Sequence, residues 1–370
     1  MPWLAPTLMA VGFALSVPCT WLAMRWGLRQ GALDSPGASG HVKVLRAVPN
    51  TGGIGLVAAW ALPMLAALAA LQWWPQSVPT GGPTSERVSA ALGVNWAIVA
   101  AALWLHVAGC VDDRRALGAV PKLLTQLVPA VALAWWADLR PLTLLDAHGP
   151  AGHALSVGLG VAWLLLLVNA MNYLDNMDGL AAGVGLVACL LFACALQLVR
   201  QWFVAAQFSL LAGSLLGFLM FNFVPRGGAR VFMGDGGSQP LGLLLGGLAI
   251  RGVYVDPADA SYALGGNWYG VFAPVLILAI PIYDLLATSW IRLREGRNPF
   301  VGDERHLSHR LVARGFSPRA AVALIWALSA VVGIGGVGLG SLAPWQAALV
   351  GVQALLALGV LAAAEGVLRR

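Results

Sequence analysis

Long apolar runs alternate with short polar breaks along the whole chain, and the charged residues concentrate at the breaks. A hydrocarbon core about 30 Å thick needs roughly 20 apolar residues in a helix. The runs predict about eleven transmembrane helices. They fall near 4–24, 53–73, 91–111, 121–137, 154–171, 180–199, 204–224, 238–254, 268–290, 320–340 and 343–364. No soluble domain interrupts them and no internal repeat stands out. The expected architecture is therefore all-α: a single polytopic membrane domain over residues 1–370. The connections 75–85, 141–152 and 256–266 are rich in Pro, Gly and Ser and read as plain connectors.

Composition sharpens this picture. The chain is 59% hydrophobic and only 10% charged, with a mean hydropathy of +0.78. Soluble domains are roughly 45–50% apolar and about 25% charged, so a soluble enzyme is excluded. Placing the N-terminus outside and the C-terminus in the cytoplasm puts 18 of the 22 Lys and Arg residues on the inner face. The basic excess is then topological, directed at anionic headgroups and not at nucleic acid. Cys19, Cys110, Cys189 and Cys194 lack metal-ligand spacing and read as small apolar residues. The first apolar run lacks a basic leader region and reads as a retained span.

With that orientation, 11 of the 16 acidic residues also fall inside, most of them in short Gly-containing motifs at predicted helix ends. Ionisable groups at a membrane boundary are costly without partners and are usually there for function. Five clusters result. Asp34, Pro36, His41, Lys43, Arg46 and Gly52-Gly53 form a basic Gly/Pro loop able to hold a phosphate. Asp112-Asp113 stand beside Arg114-Arg115, with Lys122 a short way on. These adjacent carboxylates suit a divalent cation or a general base, or else a solvated helix end with local Asp–Arg pairing. Asn169, Asn172, Asp175, Asp178 and Gly179 break two apolar runs. The spacing of three puts Asn172, Asp175 and Asp178 near one face if the segment is helical, while Asp178 could instead cap the next helix.

The fourth cluster runs from Asn222 through Phe232-Met-Gly-Asp235-Gly-Gly to Ser238. Its glycines let backbone approach a ligand, and the helix it opens offers N–H groups to phosphate. The fifth is Asp303-Glu304-Arg305-His306-Leu-Ser308-His309-Arg310. On a helix, His306, His309 and Arg310 share a face suited to a diphosphate. Asp284 reads as buried and paired. Acids for Mg²⁺, basic groups for phosphate and an aromatic for a base together match phosphoryl transfer.

These motifs, in this order, resemble the polyprenyl-phosphate N-acetylhexosamine-1-phosphate transferase family over about residues 34–317. The resemblance rests on Asp112-Asp113, the Asn169 to Gly179 run, Phe232-Met-Gly-Asp235 and His306-Leu-Ser-His309-Arg-Leu. It implies transfer of a HexNAc-1-phosphate, foremost GlcNAc-1-phosphate, from a UDP-sugar to undecaprenyl phosphate, with release of UMP. It also implies Mg²⁺, with Mn²⁺ as a substitute, at a cytoplasm-facing site in the inner membrane. By similarity Asn172 and Asp235 hold the metal, and Asp112 acts on the lipid phosphate with Asp113 beside it. Asp175 organises the site, and Lys122 contacts phosphate. Asp178 reads the uracil and Phe232 stacks on it. His306, His309 and Arg310 engage the diphosphate and sugar. A homodimer is an expectation of the resemblance alone. Ser308 stands where relatives carry a histidine, and Ser39-Gly40 precedes His41 where they carry Arg-Lys. The missing run of histidines favours the simple UDP-HexNAc branch over phospho-MurNAc-pentapeptide transfer. An ion-coupled transporter is the competing class, set back by acids at one face and not at mid-span.

Overall fold

The computed structural model describes residues 3–33, 47–73, 85–253, 267–298 and 305–365, with side chains from residue 92 onward in the third helix. Asp34, His41, Lys43, Arg46, Asp303 and Glu304 lie outside the described residues. In chain order the helices are α1 (Leu4–Gln30), α2 (Gly52–Trp73), α3 (Ser85–Arg114), α4 (Ala119–Val131), α5 (Gly149–Leu174), α6 (Leu180–Leu198) and α7 (Trp202–Asn222). Then come α8 (Asp235–Val253), α9 (Ala273–Ile277), α10 (Ala279–Arg294), α11 (Leu307–Val312), α12 (Pro318–Gly333) and α13 (Pro344–Ala364). Among the described residues no strand forms. Lipid offers no partner to a backbone N–H or C=O, so each apolar run closes its own hydrogen bonds as a helix.

Nine helical segments among the described residues are long and apolar enough to cross a membrane, and a bent pair brings the number to ten. The pair is α9 and α10 with the short turn before them, bent by 68°. The bend falls just before Pro281, whose ring removes one backbone donor from the first turn of α10. The one remaining predicted segment, 238–254, is helical as α8 but falls outside the apolar set. It carries Asp235, Ser238, Gln239 and Arg251, and six glycines. Its surroundings explain this: residues 236–250 are all buried. It packs against α2, α3, α5, α6 and α7 and meets protein where the others meet lipid.

Small residues let these helices touch. A Cβ on Gly213 of α7 would sit 2.0 Å from the Met9 carbonyl oxygen of α1. Such close backbone approach is how helices gain packing energy in a bilayer, where apolar burial supplies little. The outer helices turn large apolar side chains to lipid, among them Trp104, Leu155, Leu349 and Leu355.

One predicted connector is more than a connector. Between the π-helical turn Ala132–Trp136 and α5, the buried Arg140 donates to Asp138 at 2.7 Å and to both oxygens of Asp146 at 2.7 and 2.8 Å. Residues Thr143–His148 form a 3-10 turn that runs into α5. Proline and glycine content hid this clamp, because Arg140 meets acids two residues before it and six after it only once the chain has turned.

Candidate active site

The helix ends nearest the sequence motifs converge on the start of α8. Gly109 of α3 lies flat against it, so that a Cβ there would be 2.4 Å from the carbonyl carbon of Asp235. One turn further along, Asp113 accepts from the backbone N–H of Asp235 at 3.0 Å and of Gly236 at 3.1 Å, one with each oxygen. Gly234 supplies the left-handed turn that starts α8, with φ 67°. Helix N-termini attract anions. Here Asp113 occupies two of the N–H groups expected to face a phosphate, and so helps to hold the start of α8.

Asp112 turns the other way. Its Oδ1 accepts from Leu117 N at 2.7 Å, and its Oδ2 lies 3.1 Å from Lys122 Nζ at the start of α4. The same ammonium donates to Asp235 Oδ2 in a short contact. Asp235 Oδ1 accepts from Asn172 Nδ2 at 2.7 Å, and that nitrogen also donates to Ser238 Oγ at 2.9 Å. Two carboxylates from α3 and α8 thus share one cation from α4, braced by an amide from α5.

A relay of buried amides runs behind this cluster. Asn169 Nδ2 donates to Gln126 Oε1 at 2.8 Å, Gln126 Nε2 to Gln239 Oε1 at 3.2 Å, and Gln239 Nε2 to Asp235 Oδ2 at 3.3 Å. Each link fixes which end of the next amide faces forward, so the relay presents a donor to the carboxylate. Asn169 belongs to the sequence motif. Gln126 and Gln239 were missed, although each is a polar residue inside an apolar run, four positions after Lys122 and Asp235 respectively. That spacing puts each on the same helix face as its charged neighbour.

The motif between α5 and α6 departs from the expected single helical face. The helix stops at Leu174, so Asn172 sits in its last turn while Asp175 is its C-cap and Asp178 lies in the connection. Asn172 reaches Asp235, but Asp178 points elsewhere: its Oδ2 accepts from Ala229 N at 2.8 Å, and it does not cap α6. Asn222 closes the same junction, accepting from Gly179 N at 2.8 Å and donating to Val231 O at 2.9 Å. Phe232 is pinned through its backbone, which donates to Pro49 O and accepts from Gly52 N. Its half-buried side chain stands three residues before Asp235.

His306, His309 and Arg310 form a second group. His306 and Arg310, one turn apart, share Asp284: His306 Nδ1 donates to Asp284 Oδ2 at 2.9 Å, and Arg310 Nη2 lies 3.8 Å from Oδ1. Arg310 also donates to Glu365 Oε2 at 2.7 Å. Arg292, fully buried, reaches His306 Nε2 at 3.5 Å and lies over the Tyr173 ring. His306 and Arg310, expected to engage the diphosphate and sugar, are held here by the buried carboxylates of Asp284 and Glu365. Ser308 donates to Asn176 Oδ1 at 2.6 Å, which docks this group on the α5–α6 motif. Asp284 is buried and paired as expected.

Among the described residues, no group of three or more His, Cys, Asp and Glu side chains is arranged to hold a metal ion. The chemistry of the cluster still suits one: two carboxylates that share a cation offer hard oxygen donors of the kind Mg²⁺ takes. The pair brought together is Asp112 and Asp235. Asn172 turns its amide nitrogen to Asp235, which makes it a brace for that carboxylate.

Residues 95–253 match glycosyl transferase family 4, and this segment holds the whole acid cluster. The chain belongs to this family of polyprenyl-phosphate sugar-phosphate transferases. It is 33% identical over 281 residues to the decaprenyl-phosphate N-acetylglucosaminephosphotransferase of Mycolicibacterium smegmatis, covering 71% of this chain and 68% of the relative. A probable undecaprenyl-phosphate N-acetylglucosaminyl 1-phosphate transferase of Bacillus subtilis is 28% identical over 330 residues, 88% of this chain and 82% of the relative. A phospho-N-acetylmuramoyl-pentapeptide-transferase of Desulforudis audaxviator is 36% identical over 270 residues, 66% of this chain and 75% of the relative.

Proposed function

We propose that the chain transfers N-acetylglucosamine-1-phosphate from a UDP-sugar to undecaprenyl or another polyprenyl phosphate, releasing UMP. The observation that carries this reading is the convergence of Asp112, Lys122, Asn172 and Asp235 from four helices on one spot at their ends. The acceptor phosphate is already ionised at neutral pH, so the demand on the protein is to align two anionic phosphates and neutralise their charge. Lys122 supplies a positive charge at that spot. Mg²⁺, with Mn²⁺ as substitute, adds Lewis acidity when held by Asp235 and Asp112. Asp112 orients the attacking lipid phosphate or takes its proton. Phe232 and Asp178 lie along the run that leads to α8 and serve the uracil, with Asp175 shaping the turn between them and Asn172. His309 completes the sugar and diphosphate side.

Counting α8 and the bent α9–α10 pair as spans gives the eleven that the apolar runs predict. The excess of Lys and Arg directs the site to the cytoplasmic face of the inner membrane, where UDP-sugars are made. The product is a polyprenyl-diphosphate sugar that begins an envelope glycan. Transfer of phospho-N-acetylmuramoyl-pentapeptide is the second reading, favoured by the 36% identity to such an enzyme. Ser308 weighs against it.

The test is purified protein in detergent with undecaprenyl phosphate, Mg²⁺ and a panel of UDP-sugars, with UMP measured. UMP released only with lipid, metal and UDP-GlcNAc is the expected result. Release with the pentapeptide donor alone selects the second reading, and none with any donor overturns both.

A further inference from the structure

The end of α13 lies closer to the site than its sequence suggests. Most of α13 faces lipid, with Val352, Leu355, Leu356 and Val360 each more than half exposed. Glu365, just past its last turn, is instead buried, 4% exposed. Its Oε2 lies 2.7 Å from Nε and 2.6 Å from Nη2 of Arg310. Burial raises the Glu365 carboxyl's pKa, and the Arg310 guanidinium pulls it part of the way back. A lipid-facing helix has no need of an acid, and a buried carboxylate persists only where a partner compensates it.

Arg310 belongs to α11, which is six residues long. A helix of that length does not hold itself together in isolation. Two carboxylates hold this one. Asp284 accepts from the Leu307 N–H at 2.6 Å, closing the first turn, and Glu365 takes the Arg310 guanidinium at the other end. Between those anchors, α11 presents Ser308 to Asn176 at 2.6 Å, and the His306 ring meets Tyr173 edge-on with centroids 5.6 Å apart. Tyr173 and Asn176 flank Asp175 and adjoin Asn172. The contacts therefore run from the end of α13, through α11, to the turn that braces Asp235.

We propose that Glu365 is a positioning residue: through Arg310 it holds α11, and with it the His306–Arg310 motif, in place against Tyr173 and Asn176. Its effect on turnover rests on the transferase reading above, but its effect on α11 does not.

Two measurements on the full chain test this. In the first, Glu365→Ala lowers kcat about tenfold or more per folded molecule, with KM for UDP-GlcNAc within about twofold of the parent. Glu365→Gln keeps the length and one acceptor oxygen and recovers most of the rate. A merely structural Glu365 would reduce the yield of folded protein and leave kcat per folded molecule unchanged. In the second, His309→Cys is labelled by a water-soluble maleimide, read above the background of the four native cysteines. Adding Glu365→Ala, or Glu365→Gln should the alanine variant not fold, speeds labelling, more for alanine than for glutamine. This readout needs no turnover, so it decides the matter even if the parent releases no UMP. Unchanged kcat per folded molecule, or labelling indifferent to residue 365, overturns the proposal.

Discussion

Lys122 is the side chain whose removal the structure prices most directly. Its ammonium lies 3.1 Å from Asp112 and closer still to Asp235, in a part-buried setting with 23% of its side chain exposed. At an effective dielectric constant of about 20, each attraction is about 5 kcal/mol or more, and the repulsion between the two carboxylates, less than ~6 Å apart, is at least about 3 kcal/mol. With the ammonium present the local sum is favourable. Lys122→Met keeps the apolar stem, removes both attractions and leaves the repulsion. Asp112 and Asp235 then lose the ammonium that they share. A dication entering that site no longer competes with an ammonium, and it relieves the repulsion. If half of the ~3 kcal/mol survives reorganisation, Mg²⁺ binds at least about tenfold more tightly to Lys122→Met than to the parent. Turnover moves the opposite way, down about 100-fold, because a positive charge aimed at developing phosphate charge is lost. The assay is thermal unfolding of the detergent-solubilised protein across a Mg²⁺ series, paired with UMP release. A variant that Mg²⁺ stabilises less than the parent would refute the reasoning, since Lys122 would then be arranging the metal site and not competing for it.

Two further outcomes follow from the same geometry. Gln239→Leu cuts the amide relay at its last link and leaves Gln126 Nε2 without its acceptor in a buried setting. It should cost about 1–3 kcal/mol of stability, read as a lowered Tm, and should reduce kcat more than it raises KM for the UDP-sugar. Unchanged kcat would mean that the relay only packs the helices. Gly109→Ala favours the helix locally by about 1 kcal/mol, yet its Cβ would sit 2.4 Å from Asp235 backbone atoms. Loss of UMP release in a protein that still inserts is expected, and full activity would show that α3 does not set the position of α8.

The apolar runs made most of this fold legible, because a helix in lipid must be apolar where it meets lipid. α8 shows the limit of that rule: protein surrounds it, so its polarity is unconstrained, and the apolar run near 238–254 marked the helix but not its burial. In the site, Asp112, Lys122, Asn172 and Asp235 stood out as charges and amides beside apolar runs, and the structure brings them together. Their division of labour was not legible. Whether Asp113 or Asp112 faces Lys122 depends on how α3 meets α8, which a pair of adjacent aspartates does not reveal. The three-residue spacing of Asn172, Asp175 and Asp178 suggested a shared face, but the helix ends at Leu174 and sends Asp178 to Ala229. Glu365 counted only as one more internal acid, since its partner lies 55 residues away in the chain.

The burial of α8 also bears on how the molecule is made. A helix with Asp235 and Arg251 at its ends, Ser238 and Gln239 in its first two turns and six glycines is a poor candidate to leave the translocon for lipid on its own. Of the helices it packs against, α2, α3, α5, α6 and α7 precede it in the chain and α9 follows. The preceding helices can be in the bilayer, with a polar slot between them, before α8 emerges from the ribosome. Synthesis order thereby doubles as quality control. A chain whose earlier helices have failed to gather has nowhere to put α8, and it stalls with the carboxylate of Asp235 still outside the protein.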